Sequence, residues 1–516
     1  MDERRDDRLR PADLVGCRYR LVQRRRHPQL ARTRASRPRL ERLDTGRRIV
    51  FDHLPTRPAR GEGRHRRFLR IDLPMHHAGA DPTAAEQAEF DTLEALAAEA
   101  DLITGAVFTG GSGDVDWQVE VDILARRPDG TYLPVIISNH RVARRHASAT
   151  LPMIATSRLG LSEPVTSPHR QRPHVQDGHR LGLAARALAE LDLDPGLGAT
   201  IGQDRTRAFL APTADYQDAR STALTAPLPA AARRVKECAS CRFWPLCEPE
   251  LRAADDISLV LPGDRARKHR AEGLSTVAAL IDADLGEVSH LARAWREGVP
   301  LLRRHATVTA PRAEVEIDVD MEAYLDQGAY LWGVYDGGEY RSFATWELLG
   351  GDAEAENFAR FWSWLMNRRD RAHAEGRSFA AYCYSAHGEN HWMTQSARRF
   401  GGRRFGSFVV PSLAEVGEFI ASEEWIDVFA HVRAQLVGPG GLGLKVVAPQ
   451  AGFTWDEEDF DGEESVHARV VARGGGPAAH QARERLLRYN GDDCRATAAV
   501  RDWLAAGAPG TPQLGR

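Results

Sequence analysis

The sequence predicts an α/β protein built as two mixed α/β lobes joined by a helical segment. Three observations carry that expectation. The chain has 516 residues, more than one ordinary core holds, so two to four domains are expected. Each half alternates strand-like runs, apolar at every second position, with stretches of helical apolar spacing. Between them, from 252 to about 305, the pattern is helical only. With 42% hydrophobic and 27% charged residues, and no apolar run near the roughly 20 residues of a membrane helix, a soluble globular chain is expected. The opening "MDERRDDRLRPADL" has no apolar signal core, which predicts a cytoplasmic protein. In a reducing compartment six cysteines point to metal or thiol chemistry rather than disulfides.

The first lobe spans residues 1–251. Residues 86–100, "EQAEFDTLEALAAEA", have helical spacing after a Pro-Thr start signal. "DWQVEVDILARRPDGTYLPVIISNH" reads as two strands joined by the turn "RPDG". A helix at "HRLGLAARALAELDL" and a strand at "TRAFLAP" follow, then the cysteine-bearing "ECASCRFWPLCEPEL" at 237–251. Residues 252–310 form a helical linker in which "RAEGLSTVAALIDAD" resembles a helical hairpin of the DNA-backbone-binding sort. The second lobe spans 311–516. "AEVEIDVDMEAY" alternates as a strand and "GAYLWGVYDGGEYRSF" is its antiparallel partner. Helices at 353–375 and 391–400, a strand at 378–385 and a closing helix around 481–505 complete it, with "RGGGPAAH" as a mobile loop.

A net charge of −3 hides an asymmetry: residues 1–70 hold 22 arginines against nine acids. Arginine-dense surface is the electrostatic footprint of nucleic-acid binding, so a polynucleotide partner is expected. Lysine is scarce along the whole chain, a coding bias that explains arginine over lysine but not the local excess over acids.

Three thiols spaced C-x2-C-x5-C cannot close a four-coordinate site alone. Cys17, Cys383, Cys494 or a histidine could supply the fourth ligand. The order "DLVGCRYR…CASCRFWPLC" resembles that of RecB-type nucleases with an iron–sulfur staple, which carry one cysteine far upstream and three in a C-terminal cluster. The resemblance implies a [4Fe–4S] cluster on Cys17, Cys238, Cys241 and Cys247; zinc would suit the same ligands. It also implies a PD-(D/E)XK (restriction-endonuclease-like) fold. There Asp122 matches the first acid, but Ser138, Asn139 and His140 stand where acid, any residue and lysine belong. On the helix that follows, Arg180 and Ala184 replace the family's Gln and Tyr. Losing those carboxylates removes the charge that holds a divalent metal, so a silent lobe kept for binding is expected.

The second lobe carries a different acidic set. Asp318, Asp320 and Glu322 lie at i, i+2 and i+4 of a strand, hence on one face, where carboxylates repel unless a cation lies between them. Tyr489 and Asp493, four apart on a helix, also share a face. Together these resemble the D-x-E and Y-x-x-x-D motifs of RNase H-like DEDD exonucleases, with Glu389 in "YSAHGE" at the place of the middle acid, His387 beside it, and Asp427 as a second candidate. The step from the tyrosine selects Asp493 over Asp492. "GLGLKVVAPQAGF" is similar to a later segment of that superfamily. The whole arrangement resembles RecB-like nucleases fused to a YprB-type RNase H-like domain. That resemblance implies two-metal phosphodiester hydrolysis, with Mg2+ or Mn2+ held by Asp320, Glu322, Glu389 and Asp493 and water positioned by Tyr489. It further implies a 3′–5′ exonuclease of DNA repair or recombination, with DNA ahead of RNA as substrate. No G-x4-G-K-[ST] loop is present, so any helicase is a separate partner. The alternative is a nucleic-acid-binding scaffold with both lobes silent.

Overall fold

Leu102–Ser112, Val115–Arg126 and Tyr132–Ile137 form an antiparallel meander in the first half of the chain, with Ile123 opposite Val135. Successive strand side chains point to opposite faces. Ile123, Val135 and Ile137 therefore pack with Val50 of the helix Arg37–His53 and with Leu54 just after it. Leu124 and Ile136 pack instead with Leu181 and Leu188 of the helix Val175–Glu190. That second helix carries the chain to Leu197–Ile201, which joins Tyr132–Ile137 in parallel, and Arg207–Pro212 returns antiparallel. Leu151–Ala155 and Val165–Ser167 extend this edge and Arg70–Asp72 the other, giving eight strands.

This architecture is seen in a computed structural model, which describes residues 8–30, 37–57, 68–75, 82–112, 115–325, 327–457, 460 and 462–515. The chain divides at residue 253 into two compact units. Parts of the early arginine runs, at 31–36 and 58–67, lie outside the described residues. Among the described residues no helix is long and apolar enough to cross a membrane. The strand Leu102–Ser112 has no counterpart in the sequence expectation. Its text, "LITGAVFTGGS", lacks alternation because both of its faces are covered. Its Gly110 lies opposite Trp117, and a Cβ there would sit 2.3 Å from the indole. The glycine is the space into which the tryptophan packs.

In the second unit the acidic strand Val315–Tyr324 is central, not an edge. It pairs antiparallel with Gly328–Tyr335, which pairs with Tyr340–Ala344, and parallel with Phe379–Cys383, which pairs with Trp425–Asp427. Helix Asp352–Ala374 makes the crossover after the meander, and His387–Phe400 and Leu413–Ala421 make the next. One face of the sheet is apolar: Val315, Ile317 and Val319 bury against Phe358, Phe361 and Leu365. The other face lies under the closing helix, Gly476–Ala505. The stretch "RGGGPAAH", expected as a loop, is a turn only at its start. The closing helix already begins at Gly476, with Pro477 in its first turn where a missing N–H costs nothing. The helical segment after 253 belongs to this unit. Leu301, Val308 and Ala310 share a core with Val432 and Val500, and Leu302–Arg303 pairs with Leu436–Val437. Within it Gly273 turns at φ +87°, and the Thr276 hydroxyl caps the next helix by accepting from Ala279 N at 3.0 Å.

Candidate metal centre

Period-two alternation puts four acids, Glu316, Asp318, Asp320 and Glu322, on the face of the central strand that meets the closing helix. The helix treats them in two ways. Buried Arg501 reaches Asp318 Oδ2 at 3.0 Å and Glu316 Oε2 at 3.4 Å, with its guanidinium 4.5 Å from the Tyr382 ring centre. Arg312 adds a 2.8 Å contact to Glu316. Those two acids are paired by protein cations: Glu316 is held below its usual range, while at Asp318 burial outweighs Arg501 and pushes the carboxyl up to about 8. Two turns earlier the helix presents Asp493 to Asp320 and Glu322 instead. The three carboxylates each offer an oxygen, and these oxygens all lie within 4.8 Å of one another. Among the described residues no arginine or lysine forms an ion pair with any of the three.

Neutral donors hold the trio in place. Asn490 Nδ2 donates to Asp320 Oδ2 at 2.7 Å, Ser465 Oγ to Glu322 Oε2 at 3.2 Å, and Trp455 Nε1 to Asp493 Oδ1 at 2.8 Å. The Tyr489 phenol, one helical turn before Asp493, is a further hydrogen-bond partner of that carboxylate. A register shift follows at Glu322/Ala323, a bulge of the kind that re-aims side chains. Burial, then the charges of Asp493, Glu322 and Glu389, hold the Asp320 carboxyl far above its usual range. Burial and Asp493 push Glu322 up to about 8. Asp493 rises to about 6, its burial partly offset by Trp455, Tyr489 and the charge of Lys445. Clustered carboxylates that resist ionisation call for protons or a cation, and an all-oxygen donor set suits Mg2+ or Mn2+.

Glu389 sits in the first turn of His387–Phe400, buried, with no hydrogen-bond partner for Oε2 among the described residues. Burial and Asp427 raise it to about 8, and its charge is felt at Asp320 and Glu322. It is not one of the three acids whose oxygens lie within 4.8 Å. Asp427 is an N-cap: its Oδ1 accepts from Ser385 N at 2.9 Å and Phe429 N at 3.0 Å. Asp492 points away from the trio, paired with Arg495 at 2.7 Å. Cys383 and Cys494 are buried core residues.

Several residues here escape sequence reasoning. Asn490, fully buried, also accepts from Tyr340 OH at 2.7 Å. Its amide lies against Gly333, the residue opposite Asp320, where a Cβ would come within 1.8 Å of Asn490 Oδ1. A glycine inside the otherwise bulky apolar run "AYLWGVY" is the available signal. Lys445 lies in the stretch "GLGLKVVAPQAGF" that resembles a superfamily segment, whereas Ser465 and Trp455 left no signal, because their segments meet the acids only in three dimensions.

In the first unit Asp122 is wholly buried, and two guanidiniums hold it. Arg47 Nε donates to Oδ1 at 2.8 Å and Arg180 Nη2 to Oδ2 at 3.0 Å, with Ile137 N at 2.7 Å. Burial alone would raise its carboxyl, but Arg180 and Arg47 outweigh that and keep it below the usual range. Arg180, at the glutamine position of the motif, thus occupies the acid that a metal would need. His140 stacks on His174 at 3.8 Å. The thiols of Cys17, Cys238, Cys241 and Cys247 line one pocket with Gln23, Phe243 and Trp244. Gln23 Nε2 and Val235 N donate to the sulfurs of Cys247 and Cys238, each at 3.4 Å. Burial raises Cys17 and Cys238 and pushes Cys247 to about 11.

A family model of the RNase_H superfamily, RNase_H_2, matches residues 318–505, from the acidic strand to the end of the closing helix. The C-terminal domain is therefore RNase H-like, which suggests nuclease-type activity on nucleic acid. No curated protein and no solved structure matches the chain.

Proposed function

We propose that residues 311–516 form a metal-dependent nuclease that hydrolyses phosphodiester bonds, DNA ahead of RNA, as a 3′–5′ exonuclease of repair or recombination. One observation carries this reading: Asp320, Glu322 and Asp493 converge with no cationic side chain paired to them among the described residues, inside the RNase H-like segment. Mg2+ or Mn2+ held there would supply charge neutralisation at the phosphodiester and a nucleophile active at neutral pH. The protein's own part is to hold and orient. Asp320, Glu322 and Asp493 are the ligands, with Glu389 as a fourth carboxylate from its helix start. Asn490, Ser465 and Trp455 each bind one carboxylate oxygen and so leave the other for a cation. The phenol of Tyr489 stays protonated, because burial and the nearby acids raise it, and it positions the attacking water by hydrogen bond.

In the same reading residues 1–251 are a PD-(D/E)XK-like platform for nucleic acid, silent because Arg47 and Arg180 neutralise Asp122. Its cysteine quartet holds a [4Fe–4S] cluster as a structural staple. The pocket these four cysteines share and the N–H donors to two of their sulfurs support that reading. Residues 252–310 add a hairpin contact to the nucleic-acid backbone. Purified protein with Mn2+ and 5′-labelled single-stranded DNA should give a ladder that shortens from the 3′ end. Asp320→Ala and Asp493→Ala should abolish it. Salt-sensitive binding without any cleavage would sink the nuclease reading and leave the scaffold in its place.

A further inference from the structure

Lysine is the rare base of this protein. Of 69 lysines and arginines only three are lysine: Lys236, Lys268 and Lys445. One of the three stands at the acid trio. Lys445 Nζ donates to the Phe460 carbonyl at 2.5 Å and lies 5.8 Å from the Trp455 ring centre and 5.5 Å from that of Tyr489. Those two side chains are the hydrogen-bond partners of Asp493. The ammonium is therefore fixed beside the trio by one carbonyl and two aromatic faces, at a distance where cation–π attraction operates. Yet it pairs with no carboxylate among the described residues, and its side chain is exposed.

We infer that Lys445 is the phosphate-binding group of this site, contacting a non-bridging oxygen of the nucleic-acid backbone while the acids hold the cations. An ammonium has three N–H donors, and Phe460 uses one. The charge lies close enough to act on Asp493 without forming an ion pair with it. This chain also displays the reason a lysine serves here and an arginine does not. At Asp122 the planar forks of Arg47 and Arg180 close on the carboxylate and take it out of use. A guanidinium at 445 would do the same to Asp493. A compact ammonium brings charge to the phosphate and leaves the acid for metal.

The inference rests on the nuclease reading, and one experiment separates them. Full-length protein is titrated with a labelled single-stranded oligonucleotide in Ca2+, between about 50 and 200 mM salt. The Mn2+ affinity without nucleic acid, and KM and kcat in Mn2+, are measured beside it. Lys445→Met should weaken binding and raise KM about tenfold, with the slope of log affinity on log salt smaller by about one. Its Mn2+ affinity and kcat should match the parent. Lys445→Arg should keep the salt slope but bind Mn2+ more weakly. If Lys445→Met leaves KM and salt slope unchanged and only lowers Tm, the lysine is a tie to the Phe460 carbonyl and the inference falls, while cleavage by the parent protein keeps the nuclease reading. If Lys445→Arg binds Mn2+ like the parent, the stated reason for lysine falls. If the parent never cleaves but the slope still drops in Lys445→Met, the phosphate contact stands and the nuclease reading falls.

Discussion

Replacing Glu322 with glutamine is expected to stabilise the metal-free protein at pH 8 and to weaken its Mn2+ binding. Burial and the charge of Asp493 move this carboxyl from 4.5 to about 8. Below about pH 4.5 the folded and unfolded chains are both protonated there. Between about 4.5 and 8 the unfolded chain has lost its proton and the folded chain keeps it, so stability falls as pH rises through that window. At about 1.4 kcal/mol per pH unit the ceiling is roughly 5 kcal/mol. Glu322 shares its titration with the neighbouring acids and keeps some solvent contact, so about 1–2 kcal/mol is the working figure. For a unit of this size that is a rise in Tm of roughly 3–6 °C. Glutamine can still accept the bond from Ser465, so the swap removes charge and little else. Thermal unfolding in EDTA at pH 5 and pH 8, then with Mn2+, reads the effect. The variant should gain over the parent at pH 8 and not at pH 5, and Mn2+ should raise its Tm less. A variant no more stable than the parent at pH 8, or equally stabilised by Mn2+, would refute the view that these acids are held together for a cation.

Three other outcomes follow from the same geometry. Asp122→Ala strands Arg47 and Arg180 without a carboxylate, which should cost about 3–5 kcal/mol in chemical denaturation while leaving Mn2+ affinity at the C-terminal site unchanged. Gly333→Ala drives a methyl group onto the Asn490 amide and should lower stability by about 1–3 kcal/mol. Calorimetric titration should also show weaker Mn2+ binding, because Asn490 loses its grip on Asp320. Cys241→Ser, purified without oxygen, should be colourless and hold less iron than the parent. Brown protein with unchanged iron would remove Cys241 from the ligand set.

Local spacing made part of the candidate site legible. The alternation in "VEIDVDMEAY" and the four-residue step from Tyr489 to Asp493 follow from strand and helix geometry within a few residues, so each needs no knowledge of the rest of the chain. Spacing could not say which acids on the strand stay unpaired. Asp318 shares its face with Asp320, yet Arg501, nearly two hundred residues later, removes it from contention. Asp122 matched its motif by position, and only the fold showed two arginines closed upon it. The strand Leu102–Ser112 was invisible because burial on both faces erases alternation. The early start of the closing helix was masked by glycines whose disfavour the packing overrides.

By itself the sequence determined where carboxylates, thiols and arginines fall along each element, since that depends only on backbone period. The tertiary structure decided which of those charges meet a counter-charge and which are left for something from outside. Coulomb interactions act through space, and the partners that settle the question at Asp122, Asp318 and Asp493 lie tens to hundreds of residues away in the chain.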